Sequence, residues 1–101
     1  MSKQAIRGTL LDKQVHYTLA EVCQVCASES EWVIAMVEEG VLQPSGKNRE
    51  QWRFPGSSLH VAMRAHRLQN DFGLNPCGVA LVLELLEEIE TLRSRLRVTG
   101  T

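Results

Sequence analysis

The chain has no bulk basic excess. Eleven Lys and Arg stand against twelve Asp and Glu in 101 residues, for a net charge of −1, so the totals advertise neither a nucleic-acid nor an acidic-membrane partner. It has no long hydrophobic run. The longest apolar stretch, Val79 to Leu86, is interrupted by Glu84 and falls well short of the ~20 residues a membrane span needs. The first residues, Met1-Ser2-Lys3-Gln4-Ala5, lead into no apolar signal core, which predicts a chain that is not exported. Three cysteines cannot all pair within one chain, and a reducing cytoplasm is the expected location. Phosphate loops of the form G-x-x-x-x-G-K-S/T are missing, as is a G-x-S-x-G nucleophile elbow. Ser57 and Ser58 have no partner His at recognisable spacing. His60 and His66 read as surface residues of an arginine-rich helix, and Glu84, Glu87, Glu88 and Glu90 as the solvated face of a long helix, not as carboxylates paired in a cleft. Catalysis and a cofactor therefore find no support.

What is present has ordinary globular composition, with 44% hydrophobic and 23% charged residues, which argues against a disordered chain. The length suits one small domain with a helical arm. Only roughly 60–65% of the unfolded surface can be buried at this size, so a partner subunit would help.

The near-zero total charge hides a pattern. Residues 1–27 carry a net +1, residues 28–43 a net −4 with no base at all, residues 44–69 a net +4 and residues 70–101 a net −2. The blocks become informative once they are set on helices.

Residues 6–17, with Ile6, Leu10, Val15 and Tyr17, read as extended chain or short strand. Thr18-Leu19-Ala20-Glu21 is a capping box, with Tyr17 and Val22 where a hydrophobic staple would lie. A first helix is expected over about 19–26. Ser28-Glu29-Ser30-Glu31 reads as a second capping box, opening a helix that stops at Gly40 and has Trp32, Val33, Met36 and Val37 as its apolar stripe. Two short helices with almost no linker make a helix-turn-helix. Pro44-Ser45-Gly46-Lys47-Asn48-Arg49 is turn chemistry, and Gln51-Trp52-Arg53-Phe54 alternates like a strand, so a β-hairpin wing is expected. A third helix follows from about Ser58 to Phe72, with Leu59, Ala62, Met63 and Leu68 inward and Gly73 as its stop. Asn75-Pro76 then caps and starts a fourth helix over about 76–98. The fold class is mainly α, a winged helix-turn-helix domain over 1–73 and a C-terminal helical arm over 74–101.

In that arm, Val82, Leu85, Ile89, Leu92 and Leu96 follow a strict 3-4 heptad spacing. Past Ile89 the helix has nothing left in its own chain to bury against. A homodimer with crossing, antiparallel arms is the economical reading, and an arm folded back on a monomer is the other.

Cys23 and Cys26 form a C-x-x-C. A metal site would need two further ligands, and only Cys77, His16, His60 and His66 are on hand, at scattered positions. A redox pair would want its first Cys at a helix N-terminus, whereas these sit in the second half of a short helix. Packing as small hydrophobes is the expectation, with no metal.

A winged helix-turn-helix invites a DNA reading, since its second helix enters the major groove between phosphates. Here that helix carries Glu29, Glu31, Glu38 and Glu39 and no base. Glu29 and Glu31 suit a helix N-terminus; Glu38 and Glu39 sit at the unfavourable end of the dipole. An acidic helix of this kind suits a basic protein helix better than DNA.

Tyr17-Thr18-Leu19-Ala20-Glu21-Val22-Cys23, then Glu38-Glu39-Gly40-Val41-Leu42-Gln43-Pro44, then Trp52-Arg53-Phe54, resemble the MerR-type winged-helix plan. Within that plan the chain is similar to the CbpM family of chaperone modulators. The likeness is carried by the acidic second helix, the Trp-x-Phe of the wing, Arg64-Ala65-His66-Arg67-Leu68, and Gly78-Val79-Ala80-Leu81 leading to Leu85-Leu86-Glu87-Glu88-Ile89. The resemblance implies a protein that binds the J domain of the DnaJ-like co-chaperone CbpA. It would inhibit stimulation of the Hsp70 DnaK, where a J domain presents a basic helix, and oppose CbpA's own DNA binding. Charge and helix position, not a family motif, point to Glu29, Glu31, Glu38 and Glu39 as charge partners, with Trp32 either an anchor or core. A MerR-like transcription regulator, binding palindromic DNA through the wing and third helix, is the alternative.

Overall fold

The structure is a computed structural model and describes residues 15–98. In chain order it runs β1 His16–Tyr17, α1 Leu19–Cys26, α2 Ser30–Glu38, a 3-10 turn Arg49–Gln51, β2 Phe54–Pro55, α3 Gly56–Phe72 and α4 Pro76–Val98. Of the extended reading over residues 6–17, Ile6 and Leu10 lie outside the described residues, as do Met1 to Ala5. Tyr17 falls in β1.

The capping box at Thr18 forms as the sequence predicts. Thr18 Oγ1 accepts from the Glu21 amide at 3.2 Å, and Glu21 Oε1 accepts from the Thr18 amide at 2.9 Å. Helix α1 then buries Val22 and Cys26, one turn apart on a single face. It ends at Ala27, whose φ of +51° is left-handed, with the Ser28 amide donating to the Cys23 carbonyl at 3.0 Å.

The second capping box does not form. Helix α2 is capped by Glu29, which makes no side-chain capping bond. Ser28 is one residue too early because its backbone closes the end of α1, and its Oγ is buried without a hydrogen-bond partner among the described residues. At its far end α2 stops as expected: Gly40 takes a φ of +78°, and the Val41 amide returns to the Met36 carbonyl at 2.9 Å.

The wing also differs from a simple hairpin. Gln51 belongs to the 3-10 turn, where its amide is capped by Asn48 Oδ1 at 3.0 Å. Only Ser45 and Arg53 bridge the two sides, through a pair of 3.0 Å backbone bonds. Gly46, at a φ of +108°, closes the loop where any Cβ would run into the Gln51 carbonyl. The strand partner of Phe54–Pro55 is β1, antiparallel, with Tyr17 opposite Phe54. Phe54 is fully buried and meets Trp52 edge to face at 5.9 Å, so this segment is drawn inward to the domain rather than out along a wing ladder.

Helix α3 starts two residues before the expected Ser58 and buries Gly56, Leu59, Ala62 and Ala65. Met63 and Leu68 are half-buried. Gly73, at a φ of +63°, ends it. Asn75 Oδ1 accepts from the Gly78 amide at 2.7 Å and starts α4. Val79 of α4 is fully buried in the same core as Val22, Val33, Met36, Phe54 and Leu59. One turn further on, Leu83 still packs against that core and Glu90 reaches Arg64 of α3; past Glu90, residues 91–97 of this 23-residue helix, about 34 Å long, are exposed.

Candidate protein-docking surface

The four glutamates of the second helix are all exposed, and no basic side chain among the described residues forms an ion pair with any of them. They do not form one patch. Glu29 and Glu31 flank the start of α2, near enough to Cys23 to push its thiol pKa up, after burial itself as the larger cause. Glu38 and Glu39 lie at the other end, about 12 Å further along the helix axis.

Trp32 stands between them. It is half-buried against the core, its indole N–H donates to Gln69 Oε1 at 2.6 Å, and its ring meets His66 edge to face at 5.1 Å. His66 in turn lies 3.2 Å from the Asn70 side-chain amide. Trp32 therefore ties α2 to α3.

Glu39 opens onto a groove of about 620 Å³ between the end of α2, the first turns of α3 and α4. Its apolar floor includes Val41, Val61, Ala80 and Leu83, all half-buried. Its carboxylates are Glu39, Glu84, Glu87 and Glu90, against one guanidinium, Arg64. Arg64 is already within 3.6 Å of Glu90. Three of the α4 glutamates read as a solvated face thus line a cleft as well. Glu39 is separated from them by more than forty positions, so spacing along the chain carried no signal of the groove.

On α4, Leu85, Ile89, Leu92 and Leu96 are 45–59% exposed. Val82 is half-buried. Leu81, which a strict 3-4 spacing passes over, is 56% exposed and extends the same apolar stripe. Among the described residues, no helix is long and apolar enough to cross a membrane.

Residues 17–99 match the family model of MerR HTH family regulatory proteins. The chaperone modulatory protein CbpM of Pseudomonas entomophila is 40% identical over 80 residues, 79% of each chain. That of Coxiella burnetii strain Dugway 5J108-111 is 33% identical over 97 residues, 96% of this chain and 92% of its own. The chain belongs to the MerR helix-turn-helix family, in its CbpM group. Pseudomonas putida strain W619 has a further CbpM, 38% identical over 80 residues. These relatives carry a name that describes modulation of chaperones, not catalysis.

The basic residues of the wing and third helix are the remaining candidates. Arg53 spends its guanidinium on the wing's own carbonyls, at 2.7 Å from Trp52 and 3.4 Å from Glu50. Arg49 and Arg53 line a second, mostly apolar pocket of about 380 Å³ with Leu19, Ala20 and Cys23, next to the starts of α1 and α2. Lys47 and Arg67 are exposed.

The C-x-x-C packs as expected of small hydrophobes. Cys26 is buried and Cys23 half-buried, and both are free thiols. Burial, with Cys23 nearby as the lesser cause, pushes the Cys26 thiol up to about 11, so it holds its proton and is a poor nucleophile or metal ligand. Cys77 is exposed at the start of α4. Among the described residues, no three His, Cys, Asp or Glu side chains are grouped to hold a metal ion.

Proposed function

We propose that this chain is a chaperone modulator that binds the J domain of a CbpA-type, DnaJ-like co-chaperone. In doing so it inhibits stimulation of DnaK and the co-chaperone's own DNA binding, and it works in the cytoplasm as a homodimer without a cofactor. The observation that carries this reading is the set of exposed carboxylates at the two ends of α2, none of them in an ion pair among the described residues. A helix that in a DNA reader would face phosphates here repels them and attracts a basic protein helix. Glu29, Glu31, Glu38 and Glu39 supply the charge, and Trp32 is the proposed anchor beside them. The arm, residues 74–101, supplies the second copy through Val82, Leu85, Ile89, Leu92 and Leu96; the exposure of the four residues after Val82 supports this.

The test is a calorimetric titration with the CbpA J domain at two salt concentrations, repeated with Glu31→Lys/Glu38→Lys. The expected result is saturable binding that weakens with salt and collapses in the variant. Retained binding in the variant keeps the function but moves the contact off these two residues. No binding to a J domain refutes the reading and favours the alternative of a MerR-like DNA-binding regulator. That alternative predicts salt-sensitive affinity for a specific duplex, lost on Arg49→Glu.

A further inference from the structure

The groove beside Glu39 has features that the α2 surface lacks: a concave shape, an apolar floor and carboxylates on two sides. Glu39 comes from the end of α2, and Glu84 and Glu87 come from α4. Val41, Val61, Ala80 and Leu83 are half-buried beneath them. The one guanidinium lining the groove, Arg64, lies 3.6 Å from Glu90; His60 also lines it, and among the described residues no Lys or Arg forms an ion pair with the other three carboxylates.

This combination selects among occupants. A nucleic acid is repelled by the carboxylates. A small apolar ligand finds no enclosed cavity. A single cation would use the charge but not the floor. An amphipathic helix uses both, laying an apolar edge on the floor while long cationic side chains reach the rim. The volume of about 620 Å³ suits a few inserted side chains rather than a buried domain.

The arm does not compete for the space. At 3.6 residues per turn, the groove-lining positions 80, 83, 84, 87 and 90 centre roughly half a turn from the exposed stripe at 81, 85, 89, 92 and 96. A second copy docked on the stripe leaves the groove open.

We infer that this groove seats a basic, amphipathic helix of the protein partner, with its cationic side chains paired to Glu39, Glu84 and Glu87 and its apolar edge on Val41, Val61 and Leu83. The inference deepens the J-domain reading and rests on it for the identity of the partner. The acidic α2 surface then guides the approach of the basic partner, and the groove holds it.

The experiment uses the full chain and the Glu84→Lys/Glu87→Lys variant, neither position belonging to the α2 set. Circular dichroism and sedimentation check that fold and oligomeric state are unchanged. Each protein is titrated with the CbpA J domain and, separately, with a synthetic lysine- and leucine-rich amphipathic peptide. Chemical shifts of the groove residues are followed by NMR. The expected result is at least tenfold weaker J-domain binding in the variant, with shifts centred on Val41, Val61 and Leu83 in the wild type. Unchanged J-domain affinity in the variant overturns the groove while leaving the J-domain reading intact. If the J domain does not bind but the peptide binds in the groove and is lost in the variant, the J-domain reading fails and the groove's preference for a basic helix stands. If neither probe shifts the groove residues, the inference is overturned.

Discussion

Trp32 and Gln69 form the cross-link between the helix-turn-helix and the third helix, with the indole N–H 2.6 Å from the amide oxygen. The bond is part-buried, and it is made by the side chain that stands between the two ends of the acidic helix. Gln69→Ala leaves the indole N–H without its acceptor and is expected to cost about 1 kcal/mol. Trp32→Phe keeps most of the packing and loses the bond, at a similar cost. Urea unfolding measures both. If the variants are as stable as the wild type, the bond contributes nothing in solution.

The turn between α1 and α2 holds two local conflicts. Ser28 Oγ is buried without a partner among the described residues, so Ser28→Ala is expected to be neutral or stabilising, whereas loss of a true N-cap serine costs about 1 kcal/mol. Ala27 holds a φ of +51°, where a Cβ is disfavoured by roughly 1–2 kcal/mol. Ala27→Gly is expected to raise the unfolding midpoint despite the greater freedom glycine gives the unfolded chain. A loss of stability on Ser28→Ala would restore serine as a cap in solution.

Charge along α4 specifies how two arms would meet. Glu88 and Arg95 flank the apolar stripe on the same side, one heptad apart. Antiparallel arms bring Glu88 of one copy to Arg95 of the other; parallel arms bring it to Arg93. Glu88→Arg is expected to weaken the dimer in sedimentation equilibrium, and Glu88→Arg/Arg95→Glu to recover it. Recovery with Glu88→Arg/Arg93→Glu instead would mean parallel arms.

Cys26 gives the fold a limit on the alkaline side. Its thiol is pushed from an ordinary value of 9.0 up to about 11 by burial. The unfolded chain therefore loses this proton first. The stability it contributes is present below pH ~9 and is lost as the pH climbs towards about 11. Cys26→Ala is expected to flatten that part of the stability profile, read by denaturant unfolding at pH 8, ~9.5 and ~10.5. An unchanged profile would assign the alkaline loss to other groups.

Where a single local signal determines an element, the sequence was enough. The Thr18 box and the Asn75-Pro76 pair place the starts of α1 and α4, and Gly40 and Gly73 place the ends of α2 and α3. Where two uses compete for one residue, it was not. Ser28 reads as a cap, but its amide is taken by α1. Gln51 to Phe54 alternates like a hairpin strand, but Phe54 pairs with Tyr17 far earlier in the chain, a contact no spacing announces. The proposed docking surface divides in the same way. The acidic helix and most of the apolar stripe are local patterns and were legible. The groove exists only because folding sets Glu39 beside Glu84 and Glu87.

Val79, sealed in the same core as the helix-turn-helix residues, means that the arm is not hung on a hinge. Two chains joined through such arms would hold their grooves at one spacing, like the jaws of a caliper. A partner carrying two matching helices that span this gap would be gripped twice, the second contact forming at the high local concentration set by the first. A partner with a shorter reach would be held by one jaw alone.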